Sequence, residues 1–300
     1  MTMDEIRKPA SNEIRKVPAS AGAQWLIDGF ATLKASPTGF GAMGLVYGVL
    51  AALMAGVVML LPQAAFVVQT LWFLAAPVLT AGLVWAAREV AEGRHVGVAA
   101  YSEPARQGKV PSLLATLLPQ FVAAVLIAGL AFVLIGYDNV RTMMEVFEKM
   151  RDAPPGAQPD PALLAALPAG GVLLWMLCAI LIGFAMFFVT FIAVPGIMLG
   201  GKDVFTALRA SWRASLRNLP AMLVLIVLLI IMLIGIALLA GIVGAIVGIV
   251  AGQVMQMLVV QLVMMTVLAP VMAAAATSAW RSMLGADAGP PALPVGQLQA

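Results

Sequence analysis

Asn218 to Trp280 reads NLPAMLVLIVLLIIMLIGIALLAGIVGAIVGIVAGQVMQMLVVQLVMMTVLAPVMAAAATSAW, 63 residues between Arg217 and Arg281 without one Asp, Glu, Lys, Arg or His. A helix that crosses a hydrocarbon core of about 30 Å needs about 20 apolar residues. The run is long enough to cross and return. In lipid every backbone N–H and C=O has to be paired within its own segment, so the run must be helical with one turn near its middle. Gly244, Gly248, Gly252, Gln253 and Gln256 mark that turn.

Working outward, the whole chain is 62% hydrophobic and 10% charged, where a soluble domain carries roughly 25% charged residues. That balance excludes an aqueous fold and predicts an all-α, polytopic membrane protein. The spans are read at about 40–61, 65–87, 112–135, 171–198, 220–242 and 257–279, within one transmembrane domain over 23–284. Flanking it, 1–22 and 285–300 read as polar, proline-containing tails that bury too little to order themselves. Residues 5–11 and 13–20 of the first tail are a near-tandem duplication, EIRKPAS and EIRKVPAS. The first apolar run, from about Gly39, is too long for a cleaved signal and is expected to stay as the first span.

Two stretches between the runs are amphipathic. From Gln24 to Lys34, Trp25, Leu26, Gly29, Phe30 and Leu33 share a face, opposite Gln24, Asp28, Thr32 and Lys34. From Lys202 to Arg217, Val204, Phe205, Leu208, Trp212 and Leu216 share a face, while Arg209, Arg213 and Arg217 stack at i, i+4 and i+8. Both fit helices lying in the membrane interface.

Charge position sets orientation. Of 17 Lys and Arg residues, fourteen fall before the first span, in the second-to-third and fourth-to-fifth connections and after the sixth span, and three in the acidic insertion after the third span. The positive-inside rule then puts both termini in the cytoplasm and the acidic insertion outside. Pro154, Pro155 and Pro159 are expected to keep the second half of that insertion extended.

Prolines give a repeat. Pro37, Pro111 and Pro220 open the outgoing spans, and Pro77, Pro195 and Pro270 kink the returning ones, at separations of 40, 84 and 50 residues. The reading is three parallel repeats, each a cytoplasmic interfacial segment plus a membrane hairpin. The kink prolines either frame a cavity or are packing devices inherited with the repeat.

Chemistry is sparse. With Cys178 and His95 each alone, neither a disulfide within the chain nor a His/Cys metal cluster forms. No nucleophile with a base and no phosphate-binding glycine loop is visible, so a non-enzymatic protein without cofactor is expected. Charges absent from the spans disfavour proton or cation coupling. Arg88 and Glu92, at i, i+4, read as an ion-pair cap. Arg209, Arg213, Arg217, Trp212, Trp25 and Lys34 are the candidates for lipid head groups. Partners are membrane lipids, with a second copy or another membrane protein left open and no nucleic acid. The glycines at 244, 248 and 252 suit either a second protomer or a helix of the same chain.

With its hairpins, its Trp25 and Trp212 segments and its Ala-Pro and Val-Pro returning helices, the chain resembles uncharacterised six-helix inner-membrane proteins of Gram-negative bacteria over about Ala23 to Leu284. It is more distantly similar to the membrane domain of some glycerophosphoryl diester phosphodiesterases. The first group implies no activity. The soluble catalytic domain of the second, with its metal-binding carboxylates, is missing from this sequence. The leading expectation is a protein whose basic cytoplasmic helices engage anionic lipid or a partner; the other is an uncoupled carrier of lipids or small apolar solutes.

Overall fold

In a computed structural model the described residues are 14–151 and 168–285. The duplicated stretch up to residue 13, the proline-rich half of the acidic insertion and the C-terminal tail beyond Gly285 lie outside them. The described residues are helical, without strands. Five helical stretches, Pro37–Leu60, Pro62–Ala91, Val110–Leu134, Ala169–Met198 and Leu219–Leu284, are long and apolar enough to cross a membrane.

The chain divides into two units. The smaller, Leu117–Phe187, contains α6 (Leu117–Leu134), α7 (Tyr137–Arg151) and most of α8 (Ala169–Thr190). Pro119 falls in the first turn of α6, where its missing N–H is cheap. Within this unit, Trp175 Nε1 donates to Ile127 O at 2.9 Å, tying α8 to α6. Most of the apolar side chains on both helices face outward, as hydrocarbon surroundings permit.

The larger unit holds α1 (Ala21–Ala35), α2 (Ala42–Leu60), α3 (Ala65–Ala91), the short α4 (Glu103–Arg106) and α5 (Val110–Ala115). After the second unit come α9 (Ala193–Met198), α10 (Val204–Arg217) and the 66-residue α11 (Leu219–Leu284). The last is one helical stretch by hydrogen bonding but reverses at Gly252, whose φ of 84° and ψ of 172° only glycine adopts readily. Past the reversal Gln256 and Val260 pack on Gly248 and Gly244. The glycine spacing thus serves a contact within the chain, and the turn is one residue wide where a longer break is expected.

Close approach of helices is what the small residues provide. On α2, Gly44 meets Thr266 and Pro270, Gly48 meets Leu262 and Thr266, and Gly56 meets Leu258, an antiparallel register against the returning arm of α11. On α1, Gly22 meets Ala221 and Leu225 of the outgoing arm, while Gly29 meets Val271 of the returning arm. Helix α1 is therefore a wedge between the two arms. The core beside it is filled by Phe40, Met43, Leu83, Val84, Leu113 and Met198, each 2% exposed or less.

Two expected spans are interrupted. Thr116 separates α5 from α6, and the chain breaks at Phe191–Ile192 between α8 and α9. Pro195 follows that second break, so it sits near the start of a new helix, whereas Pro77 and Pro270 lie inside helices. The expected N-terminal tail also ends early. Arg15 N donates to Met283 O at 2.9 Å and Val17 N to Asn218 Oδ1 at 2.8 Å, and α1 begins at Ala21. A polar stretch that buries little is still ordered when its backbone groups find partners.

Candidate functional site

Helix α10 begins where Gly200 and Gly201 end the preceding turn and Asp203 caps the new one. Its carboxylate accepts from Thr206 N at 3.0 Å. Hydrogen bonding from the Thr206 side chain first, and then from Thr206 N, holds the Asp203 carboxyl below the usual carboxylate range. At the other end Asn218 is buried, and its Nδ2 donates to Ala214 O and Arg15 O, both at 3.0 Å. Both helix ends are thereby fixed.

Between the caps the helix presents three faces. Ala207, Leu208, Ser211, Ala214 and Ser215 are buried. Their hydroxyls serve the break at the end of α8: Ser211 Oγ donates to Phe188 O at 2.8 Å and accepts from Ile192 N at 3.3 Å, and Ser215 Oγ donates to Phe188 O at 3.2 Å. A second face carries Phe205, Trp212 and Leu216, 71%, 36% and 46% exposed. The third carries Arg209, Arg213 and Arg217, all exposed.

The other cations explain why that third face stands out. Arg88 Nε meets Glu92 Oε1 at 2.7 Å, and Arg94 bridges Glu89 and Glu92. Arg281 reaches Glu92 Oε1 at 3.9 Å. Hydrogen bonding from Arg88, and then from Arg94, keeps the Glu92 carboxyl below its ordinary range, and Glu89 raises the guanidinium pKa of Arg94. Arg106 pairs with Glu103 at 3.0 Å and Arg141 with Glu145 at 3.2 Å. Lys109 Nζ donates to the carbonyls of Ile197 and Met198 at 2.7 and 3.1 Å, which suits a cation at the C-terminus of α9, and burial draws its pKa down. Among the described residues no ion pair engages Arg209, Arg213, Arg217 or Lys34.

The candidates from sequence therefore separate. Trp212 and the three arginines lie together on one exposed helix. Lys34 is exposed on the last turn of α1, a different helix. Trp25 needs correction: it is 2% exposed and its Nε1 donates to Ser282 Oγ at 3.0 Å. Its ring is inside the protein because Gly22 and Gly29 draw that face of α1 against α11. Pro77, Pro195 and Pro270 are all buried. Sequence reasoning did not find Ser211, Ser215 or Asn218, although with Ala207 and Ala214 they make a visible stripe of small and polar residues. Nor did it find Tyr101, whose hydroxyl donates to Met43 O at 2.7 Å, pinning the connection after α3, and whose phenol burial pushes up in pKa. Among the described residues no group of three or more His, Cys, Asp or Glu could hold a metal ion.

No curated protein and no solved structure matches the chain. One family model, described as a domain of unknown function (DUF7847), matches residues 23–283, so the chain belongs to that family.

Proposed function

We propose that this is a non-enzymatic bacterial inner-membrane protein that engages anionic lipid through basic cytoplasmic helix α10. The observation that carries the reading is the division of α10 into a packed small-residue face, an exposed Phe205/Trp212/Leu216 face and an exposed arginine face outside every ion pair among the described residues. Such a helix can dip its apolar face among acyl chains while its cations meet phosphates, with the third face left to anchor it to the protein. Each basic residue near an anionic surface contributes about 1 kcal/mol.

The topology belongs to the same proposal. Counting the two arms of α11 separately gives six crossings with both termini cytoplasmic, arranged as three hairpin repeats. Reversal at Gly252 and the packing of Gly244 and Gly248 on the returning arm support that count. The carrier alternative rested on a cavity framed by Pro77, Pro195 and Pro270. Met43, Leu83, Val84, Ala193 and Ile197 are instead buried together in one apolar cluster, and the three prolines are themselves buried, which gives that reading no support at the prolines.

Changing Arg209, Arg213 and Arg217 together to Gln tests the lipid reading. Three cations at about 1 kcal/mol each put the loss of phosphatidylglycerol retention, read by native mass spectrometry, at about a hundredfold. Retention unchanged from wild type would refute it.

A further inference from the structure

The V formed by the two arms of α11 is closed at its apex by Gly244 and Gly248 and wedged at its base by α1. Between wedge and apex lies a cavity of about 480 Å³. Leu26 and Phe30 of α1 line it with Met232, Gly235 and Ile236 of the outgoing arm and Val263 of the returning arm, and no polar side chain faces it. Along the outgoing arm it extends from Leu228 to Leu239, about 17 Å at 1.5 Å per residue.

We infer that this slot seats one acyl chain of a bilayer phospholipid. Size decides against a protein segment. The cavity is open along one side, and a volume of about 480 Å³ spread over about 17 Å gives a cross-section of roughly 28 Å², well short of what a helix about 10–12 Å across fills. Extended backbone is excluded by chemistry, because its N–H and C=O groups would meet no partner there. A polymethylene chain has no polar group to satisfy and gains dispersion contacts along both walls.

Position supports the same occupant. Ile230, Ile231, Ile234 and Leu238 on the same arm are half or more exposed, so the slot opens where the chain meets hydrocarbon. Phe30 lines it, and Lys34 lies one turn further along that stripe of α1, exposed and outside every ion pair among the described residues. An acyl chain running through the slot past Phe30 thus leaves its phosphate on the Lys34 side of the wedge, at the end of α1 away from Gly22.

Glycine makes the test clean. A Cβ at Gly235 would have nothing within 4 Å, and the same holds at Gly241, which does not line the slot. The full chain is reconstituted in vesicles of phosphatidylethanolamine and phosphatidylglycerol, with a phosphatidylglycerol carrying a diazirine in one acyl chain. Photo-adducts are then mapped by peptide mass spectrometry. Adducts are expected to concentrate on Met232, Ile236 and Val263. Gly235→Leu, whose side chain fills the slot and removes the dispersion contacts along it, should reduce them severalfold; Gly241→Leu should leave them unchanged.

Equal labelling of Ile249 and Val250, each 87% exposed on the same arm, or labelling indifferent to Gly235→Leu, would overturn the inference. So would cross-links from the slot to a second polypeptide. Should Gly235→Leu fail to fold, the wild-type distribution between slot and exposed positions decides by itself. The slot depends on membrane placement but not on the arginine face. Labelling that persists in the Arg209, Arg213 and Arg217 to Gln protein separates the two readings.

Discussion

Helices α1 and α10 read as twins in the sequence, each a short amphipathic segment with one tryptophan ahead of a proline-opened apolar run, yet they meet opposite fates. Trp25 is 2% exposed on a wedge buried between the arms of α11, while Trp212 is 36% exposed beside Phe205 at 71%. The difference lies in where the small residues fall. On α1, Gly22 and Gly29 share the face of Trp25 and Leu26, so that face can approach another helix closely and is consumed by protein contact. On α10, Ala207, Ser211, Ala214 and Ser215 make a separate packing face, leaving the large apolar side chains outside. An amphipathic pattern says that a face is apolar; the small residues say what it meets.

The strongest way to break that comparison is to remove each tryptophan. Trp25→Ala opens a cavity in a packed site and abandons the bond to Ser282 Oγ, for an expected loss of about 3–5 kcal/mol. Trp212→Ala removes a partly exposed ring tilted on Phe188 at 6.5 Å, and its cost should stay below about 1 kcal/mol. Thermal unfolding in detergent reads both. Equal losses would mean that the two helices are buried alike.

A smaller change sharpens the reason. A Cβ at Gly22 would stand 2.1 Å from Ala221 O and 2.8 Å from Leu225 N, both backbone atoms that cannot swing aside. Gly22→Ala should therefore destabilise by about 1–3 kcal/mol through overpacking, although alanine is the better helix former. Arg209→Ala on the exposed face of α10 should stay within about 0.5 kcal/mol. If Gly22→Ala proved neutral or stabilising, close approach would not be what seats α1.

These contrasts show what could be read in advance and what could not. Membrane class and helical content followed from charge-free runs, because hydrocarbon leaves the backbone so few choices. The Arg88–Glu92 pair followed from i, i+4 spacing and is present at 2.7 Å. The arginine face was visible too, since its three members lie on one helix. Burial of Trp25 was not, because it depends on residues about two hundred or more positions away, Ala221, Val271 and Ser282 among them. Anchoring of Arg15 and Val17 by Asn218 is hidden for the same reason. Local pattern fixes which groups share a face; only the tertiary partner decides whether that face is used.

The least costly test uses the helix starts. Asp203 caps α10 through Thr206 N, while Ser20 at the start of α1 makes no side-chain cap bond. With the carboxyl of Asp203 held below its ordinary 3.8 first by the Thr206 side chain and then by Thr206 N, the charged form is the one the folded helix favours. Its contribution is then present above the ordinary value and fades as pH falls through the lowered one. Amide exchange protection at Thr206, corrected for the intrinsic rate, should drop over that acid window, while protection in the first turn of α1 stays level. Asp203→Asn keeps a good cap without a titrating proton, so Thr206 should lose its acid sensitivity in that protein. A drop of equal size in Asp203→Asn, or one shared by both helix starts, would mean that acid loosens the surrounding packing rather than the α10 cap.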